Sequence, residues 1–189
     1  MSNYYLTDYI DQCILYGYYH KTKMIDIFGD ITPEKMHETI RKLHIADEQS
    51  GAVLVHLSSG GGCVDSGFGI YDAIRAMKNH VKIVTYSQVA SMATIILQAG
   101  DERLMTVNSY LMLHEGEAEI TGSSASRKQW ERLTNLHDER CYKIYHDKVK
   151  ERKRISKVSL TEKIKAKDWV LTADEAAKWG LCDGIVESY

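Results

Sequence analysis

Short apolar runs alternate with helical patterns along the first hundred residues, and this alternation limits the folds open to the chain. The predicted strands are residues 24–28, 53–57 and 82–86, and the predicted helices that follow them are residues 33–44, 67–77 and 92–99. Thr32 before Pro33 marks the start of the first helix, as a cap followed by proline at the first helical position. Because parallel strands of one sheet need a crossover between them, usually a helix, this order predicts parallel βαβ units and an α/β fold.

Composition narrows the class of ligand. The 189 residues suit one domain, and 24 lysines and arginines nearly balance 26 aspartates and glutamates. A basic stripe interleaved with aromatic residues is absent from the sequence, apart from the charged run at residues 148–154, which we interpret as a solvated helix end. Nucleic acid is therefore not expected as a partner.

Cysteine placement and hydropathy point to the cytoplasm. The four cysteines, Cys13, Cys63, Cys141 and Cys182, form no pair or cluster at zinc-binding spacing, so we expect no metal site. They suit a reducing compartment. No run approaches the roughly 20 apolar residues of a membrane span, and residues 4–19 lack the pattern of a signal peptide.

A long helical pattern runs from residue 126 to about residue 154. Its apolar positions are Trp130, Leu133, Leu136, Ile144 and Val149. The pattern carries too many charges for a central core helix, so we predict an arm whose apolar stripe packs against another surface.

A glycine run, Ser59-Gly60-Gly61-Gly62, follows the second predicted strand. The dinucleotide-binding pattern would need a third glycine where Asp65 stands, and the phosphate-binding loop would need lysine where Phe68 stands. Two interpretations remain: a tight strand-to-helix turn, or a loop whose backbone amides approach a ligand closely, as an oxyanion hole requires.

Ser91 opens the third helix directly after a strand and a turn. Its hydroxyl could cap the helix, or it could be exposed as a nucleophile beside the Met92 amide at the helix N-terminus. The Gly-x-Ser-x-Gly elbow is absent, because Val89 and Ala93 occupy its glycine positions.

His114 ends an apolar run and Asp168 precedes another. A histidine in such a run could be a satisfied core residue, and Asp168 could cap the turn at residues 171–172. Together with Ser91 and the glycine loop, however, they supply a hydroxyl, a base, a carboxylate and an oxyanion loop, which is the set that a serine hydrolase needs.

Five segments in order resemble the ClpP family, the proteolytic subunits of the Clp protease. They are SGGG at residues 59–62, GFGIYD at 67–72, VASMA at 89–93, NSYLMLH at 108–114 and KDWVLTADEA at 167–176, the last followed by GLCD at 180–183. The resemblance extends over residues 25–186, and the ordered combination of motifs is specific.

The resemblance implies roles for five residues. Ser91 would be the nucleophile, His114 the general base, Asp168 the orienting carboxylate, and Gly62 and Met92 the donors of oxyanion-hole amides. Neither metal nor cofactor is implied. The chain would then be a serine endopeptidase.

The resemblance also implies an architecture and partners. The fold would be the ClpP/crotonase type, repeated ββα units with a protruding helical handle at residues 123–155, within a peptidase domain at 24–189 that follows an N-terminal segment, 1–23, of possible axial role. Heptameric rings stacked in pairs would enclose the sites, and an AAA+ unfoldase of the ClpX or ClpA type would feed unfolded polypeptide, because no motif of this chain binds ATP.

Three departures from the family pattern keep alternatives open. Gly60 replaces a proline of the loop, Glu115-Gly116 replaces Gln-Pro after the histidine, and His56 stands where the family often has a tyrosine. The alternatives are a non-productive or regulatory ring subunit, and a crotonase-fold scaffold in which Ser91 only caps a helix. A serine–lysine dyad peptidase is disfavoured by His114 and Asp168 and by the absence of a membrane segment.

Overall fold

The computed structural model describes residues 18–19, 22–48, 50–117 and 120–186. The predicted N-terminal segment at residues 1–23 lies almost entirely outside these ranges. Within them, the strands are β1 (Tyr18–Tyr19), β2 (Met24–Phe28), β3 (Val53–Ser59), β4 (Val81–Ala90), β5 (Glu102–Thr106), β6 (Tyr110–Leu113), β7 (Trp169–Thr172) and β8 (Gly184–Val186). The helices are α1 (Pro33–Asp47), α2 (Val64–Arg75), α3 (Met92–Leu97), α4 (Ser124–Val149), α5 (Lys157–Ala166) and α6 (Ala173–Trp179).

The strands form one mixed sheet in the order β1-β2-β3-β4-β5-β8, and β6 pairs with both β4 and β7. The pairs from β2 through β5 to β8 and the β4–β6 pair are parallel, while β1–β2 and β6–β7 are antiparallel. The predicted α/β fold with parallel crossovers is therefore confirmed.

Strand β4 serves two neighbours in turn. Its residues 82–85 pair with β5, and its residues 88–90 pair with β6. Between them lies Ser87, which has a positive φ of 54°. The sequence analysis ended this strand at residue 86, four residues too early. The last residues of β4 are ordered by pairing with the distant strand β6, and their own sequence pattern does not indicate a strand.

The core is formed by the sheet and by buried residues from all six helices. Alternate residues of β3 are buried, and all six residues of α3 are buried. Thr32 caps α1 as predicted, since its hydroxyl accepts a hydrogen bond from the Lys35 amide at 3.2 Å. Helix α2 begins three residues earlier than predicted because the Gly67 amide already donates to the Cys63 carbonyl at 2.9 Å.

Helix α4 is a long arm attached at its C-terminal end. Its buried residues are Tyr142, Tyr145 and Val149. It ends before the predicted residue 154, because the Val149 carbonyl accepts the amides of both Arg152 and Lys153 in a turn. A separate helix, α5, which the sequence analysis did not predict, then leads to β7. Among the described residues, no helix is long and apolar enough to cross a membrane.

Candidate active site

Ser91 occupies a strained turn between β4 and α3. Its φ of 52° and ψ of −127° lie in a region that residues other than glycine rarely adopt, at a cost of about 1–3 kcal/mol. Its side chain makes no capping hydrogen bond to the helix. The interpretation of Ser91 as a helix cap therefore finds no support in its geometry.

Hydrogen bonds of the Ser91 backbone to β6 and α3 hold the turn in place. The Ser91 amide donates to the Met112 carbonyl of β6 at 2.9 Å, and the Ser91 carbonyl accepts the amide and the hydroxyl of Thr94 at 2.9 and 2.6 Å. The Thr94 hydroxyl also lies 2.6 Å from the hydroxyl of Tyr145 on α4. Strand β6 and helix α4 thus both stabilise the conformation that exposes the serine hydroxyl.

The glycine loop packs directly against this turn. A Cβ atom at Gly61 would lie 2.6 Å from the Ser91 Cβ and 2.9 Å from the Ala90 carbonyl oxygen, so only glycine permits this approach. The Ile31 amide donates to the Gly61 carbonyl and the Cys63 amide donates to the Ile31 carbonyl, each at 2.8 Å. The Gly62 amide takes part in neither of these two hydrogen bonds.

Two backbone amides near the serine remain available. Neither the Gly62 amide nor the Met92 amide, the first of helix α3, donates to any acceptor in the part of the chain that the structure describes. Free amides at a helix start and in a glycine loop can bind developing negative charge.

His114 follows β6 and lies beside Ser91. Because residues 88–90 of β4 pair in parallel with residues 110–112 of β6, the two chains leave the sheet at the same edge. The Nε2 atom of His114 lies 2.8 Å from the Ser91 Oγ. This distance meets the requirement for a base that removes the serine proton, and it shows that His114 is not merely a core histidine.

Asp168 lies opposite His114 but does not contact it. The antiparallel pairing of Leu113 with Trp169 places the two residues across from each other, just beyond the β6–β7 ladder. His114 and Asp168 both belong to the part of the chain that the structure describes and border one surface hollow. No hydrogen bond or ion pair joins them. Asp168 is exposed, and the cap of α6 is Thr172 with Glu175 in a capping box. The structure therefore brings Ser91 and His114 together and leaves the Asp168 carboxylate apart.

Glu115, next to the histidine, turns toward α5. Its Oε1 lies 2.8 Å from the Nζ of Lys165, and this hydrogen bond raises the pKa of Lys165. The pair connects the segment after His114 with the segment before Asp168.

Helix α4 forms the far wall of a cavity beside Ser91. The cavity has a volume of about 220 Å³, and α4 contributes a stripe of side chains at helical spacing: Trp130, Leu133, Thr134, His137, Asp138, Cys141, Tyr142 and Tyr145. Sequence reasoning identified only Trp130 and Leu133 of this stripe. The repeating intervals of three and four residues were the available signal, but polar members obscured it.

Cys141 is not a second nucleophile. Burial, followed by the nearby charge of Asp138, raises the pKa of the Cys141 thiol to about 12, so the thiol stays protonated at neutral pH. Among the described residues, no group of three or more His, Cys, Asp or Glu side chains is arranged to hold a metal ion.

Comparison with known proteins gives consistent results. The family model described as Clp protease matches residues 11–189. An ATP-dependent Clp protease proteolytic subunit from Deinococcus radiodurans is 25% identical over 178 residues, which cover 92% of this chain and 84% of that protein. An Asn-to-Asp mutant of ClpP1 from Listeria monocytogenes has the same fold, with a TM-score of 0.77 and 24% identity over 89% of this chain and 94% of that one.

The structural likeness confirms the predicted ClpP-type α/β fold. The family match extends over nearly the whole chain and places it, in general terms, among serine peptidases. This chain is a member of the Clp protease family.

Proposed function

We propose that the chain is a serine endopeptidase that hydrolyses peptide bonds of unfolded polypeptides, as the proteolytic subunit of a compartmental protease. The observation that carries the proposal is the 2.8 Å separation of Ser91 Oγ and His114 Nε2 on a strained turn packed against a glycine loop. Backbone strain retained at a position with a base in reach is typical of a catalytic nucleophile.

The reaction follows from this arrangement. Ser91 Oγ attacks the carbonyl carbon of the scissile bond while His114 Nε2 removes the hydroxyl proton. The carbonyl oxygen becomes an oxyanion, which the free amides of Gly62 and Met92 stabilise; losing one such donor typically costs about 3–4 kcal/mol. His114 then gives its proton to the leaving amine, and the acyl-enzyme is hydrolysed by a water that His114 activates.

Asp168 completes the site by rotating toward the imidazole. It lies opposite His114 across the end of the β6–β7 ladder and borders the same hollow, so a rotation of the exposed side chain would carry the carboxylate toward the ring. In that position it orients His114 and stabilises the imidazolium.

Assembly would supply the packing that favours this rotation. We propose heptameric rings stacked in pairs, with α4 between rings and an AAA+ unfoldase of the ClpX or ClpA type supplying substrate. Family membership supports ring assembly with an ATPase partner in general. The protein would act in the cytoplasm, in keeping with free Cys63, Cys141 and Cys182.

Only part of the predicted apolar seam of α4 is exposed and could form the ring contact. Ile144 packs against the core and Leu133 faces the cavity, whereas Trp130 and Leu136 are about half exposed. Leu136→Glu should therefore yield smaller particles in light scattering, with Glu139→Gln on the same exposed surface as the control. Unchanged large particles would contradict the role of α4 in the ring contact.

A second candidate is a regulatory ring subunit without peptidase activity. The specific observation in its favour is the separation of Asp168 from His114. Labelling with a fluorophosphonate, which reacts with activated serines, distinguishes the two functions. We expect rapid labelling of the wild type and none of Ser91→Ala; failure to label the assembled wild type would favour the regulatory subunit.

A further inference from the structure

The cavity beside Ser91 has apolar sides and a polar wall. Met92, Ile95 and Leu133 form part of the apolar lining, and Asp138 and Tyr142 present polar groups from α4. Ser91 and His114 border the same space. A side chain of a bound substrate next to the attacked carbonyl would therefore enter it.

Asp138 is a partly buried carboxylate that makes no ion pair with any described residue. The charges of Lys165 and His137 act on Asp138 from beyond ion-pair distance, and each side chain has a closer partner: Lys165 lies 2.8 Å from Glu115, and His137 lies 3.4 Å from Asp65. Within the described ranges, no Lys, Arg or His nitrogen lies within ion-pair distance of the Asp138 carboxylate. Burial, and then the charge of Glu115, raise the pKa of Asp138, which is the expected result for a carboxylate that lacks a partner.

Tyr142 lies one helical turn further along the same face; its ring faces Lys165 Nζ at 5.7 Å, but its hydroxyl lacks a hydrogen-bond partner among the described residues. Its side chain is 3% exposed, and its hydroxyl makes no hydrogen bond with any described residue. A buried polar group left unsatisfied is rare, because it costs about 1–3 kcal/mol. A hydroxyl oxygen can accept a hydrogen bond from an ammonium or guanidinium group.

We propose that this cavity binds a basic side chain, lysine or arginine, of the substrate residue whose carbonyl Ser91 attacks, and that Asp138 determines this specificity. The aliphatic stem would lie along the apolar lining, the charged end would pair with Asp138, and Tyr142 would accept a further hydrogen bond. The inference rests on the proposed peptidase function, since it concerns the residue next to the scissile bond.

Other side chains fit the cavity less well for stated reasons. An apolar side chain would remove water from Asp138 and supply no partner, which is costly for a carboxylate. An acidic side chain would face Asp138 and Glu117, both of which border the cavity. A basic side chain is the class whose charge and length match both the lining and the unpaired carboxylate.

Cleavage of matched fluorogenic peptides by the assembled full chain tests the proposal. The peptides differ only at the residue before the cleaved bond, which is lysine, arginine or norleucine, the uncharged counterpart of lysine. We expect kcat/KM to be about tenfold or more higher for the basic residues, because the pocket then gains an ion pair. Asp138→Asn should reduce the ratio of lysine to norleucine by about the same factor. Asp147→Asn on the same helix, whose carboxylate pairs with Lys143 and Lys150 instead, should leave the ratio unchanged.

A binding measurement separates failure of this inference from failure of the proposed function. Ser91→Ala retains the cavity, so its affinity for a peptide ending in lysine should exceed its affinity for one ending in norleucine, and adding Asp138→Asn should abolish the difference. A norleucine preference, or equal values, in both cleavage and binding would overturn the inference. Lysine-selective binding without fluorophosphonate labelling of the wild type would support the cavity's specificity and reject the peptidase function.

Discussion

The two sides of the candidate site are held in different ways. On one side, Ser91 is constrained by buried backbone contacts to β6, by Thr94 in α3 and by a glycine loop at contact distance. On the other side, Asp168 is exposed, and its segment is joined to the segment after His114 by the exposed Glu115–Lys165 pair. The nucleophile side is fixed by buried contacts within this chain, whereas the carboxylate side is exposed and has no hydrogen bond from Asp168 to His114.

The far end of α3 strengthens this contrast. Gln98 at that end donates to the Leu181 carbonyl at 3.1 Å and accepts from Arg103, which also pairs with Asp183. Arg103 is 4% exposed, so its charge-assisted hydrogen bonds start from a buried guanidinium. The helix that begins at Ser91 is thus anchored at both ends, while the His114–Asp168 side has no comparable buried anchor among the described residues.

The largest expected effect on activity comes from neutralising the Asp168 carboxylate. Asp168→Asn should lower kcat about 10³-fold or more, because an amide cannot stabilise the imidazolium and favours the wrong histidine tautomer. Steady-state kinetics of the assembled protein measure it, with Asp174→Asn, on exposed α6, as the control. An unchanged rate would mean that Asp168 takes no part in the reaction.

The next largest effect is expected from a substitution on the nucleophile side, at Gly61 of the loop that packs against Ser91. Gly61→Ala would force a methyl group to within 2.6 Å of the Ser91 Cβ at a φ of +100°, so activity should fall about 100-fold and stability by about 2–4 kcal/mol. The matched control is Gly60→Ala, whose Cβ would meet only the Gln88 amide nitrogen at 3.5 Å. Peptidase assays and denaturant unfolding of both variants measure the difference. Equal effects of the two substitutions would contradict the close packing of the loop on the serine.

A third change tests the anchor of α3 and has a defined pH dependence. Burial alone would raise the pKa of Asp183, but its hydrogen bond and charge interaction with Arg103 outweigh this, so the pKa lies below 3.8. Because the folded pKa is the lower one, the stabilisation is full above the unfolded pKa and is lost as pH falls through the folded pKa.

Asp183→Asn should therefore cost about 2–3 kcal/mol at neutral pH, somewhat less than for a fully buried pair because the carboxylate is one-third exposed. Its unfolding free energy should also change less steeply than that of the wild type as the pH falls below about 4. Urea unfolding at several pH values measures both effects. Parallel curves for the two proteins would refute the pH argument.

The smallest effect is expected from the exposed Glu115–Lys165 pair on the carboxylate side. Glu115→Gln should change stability by less than about 1 kcal/mol, because both partners are nearly half exposed and screened by salt. A double-mutant cycle with Lys165→Met, followed at low and high salt, isolates the interaction energy. An interaction energy of Glu115 with Lys165 as large as that of Arg103 with Asp183 would mean that the carboxylate side is as firmly fixed as the nucleophile side.

Local patterns predicted much of the fold. The βαβ order, the Thr32 cap and the start of α3 after Ser91 follow from hydrophobic periodicity and capping chemistry within a few residues. The positions of Ser91 and His114 were also predicted as neighbours, from the order of motifs and the resemblance to a family. Their contact at 2.8 Å agrees with this expectation, while the roles of all five site residues stay predictions.

Other features depended on residues far apart in sequence. The bend of β4 at Ser87, which lets one strand pair with both β5 and β6, has no local signature. The side chains of Asp138 and Tyr142 were not predicted to face the nucleophile, because the direction in which α4 leaves the domain decides which of its faces meets the site. Likewise, the choice of Lys165 as the partner of Glu115 requires knowing where α5 packs.

The sequence by itself determined the order of the first three strand–helix units, the strand-to-helix turn at Ser91 and the glycine loop after β3, because these depend on φ/ψ preferences and periodicity over short stretches. Only the tertiary structure decided the distances: His114 lies 2.8 Å from Ser91, as expected, while Asp168 makes no hydrogen bond with His114, since both depend on how β6 pairs with β4 on one edge and β7 on the other. Side-chain meetings across a sheet are set by register and long-range packing, and a one-residue shift in either pairing would turn the imidazole or the carboxylate to the opposite face.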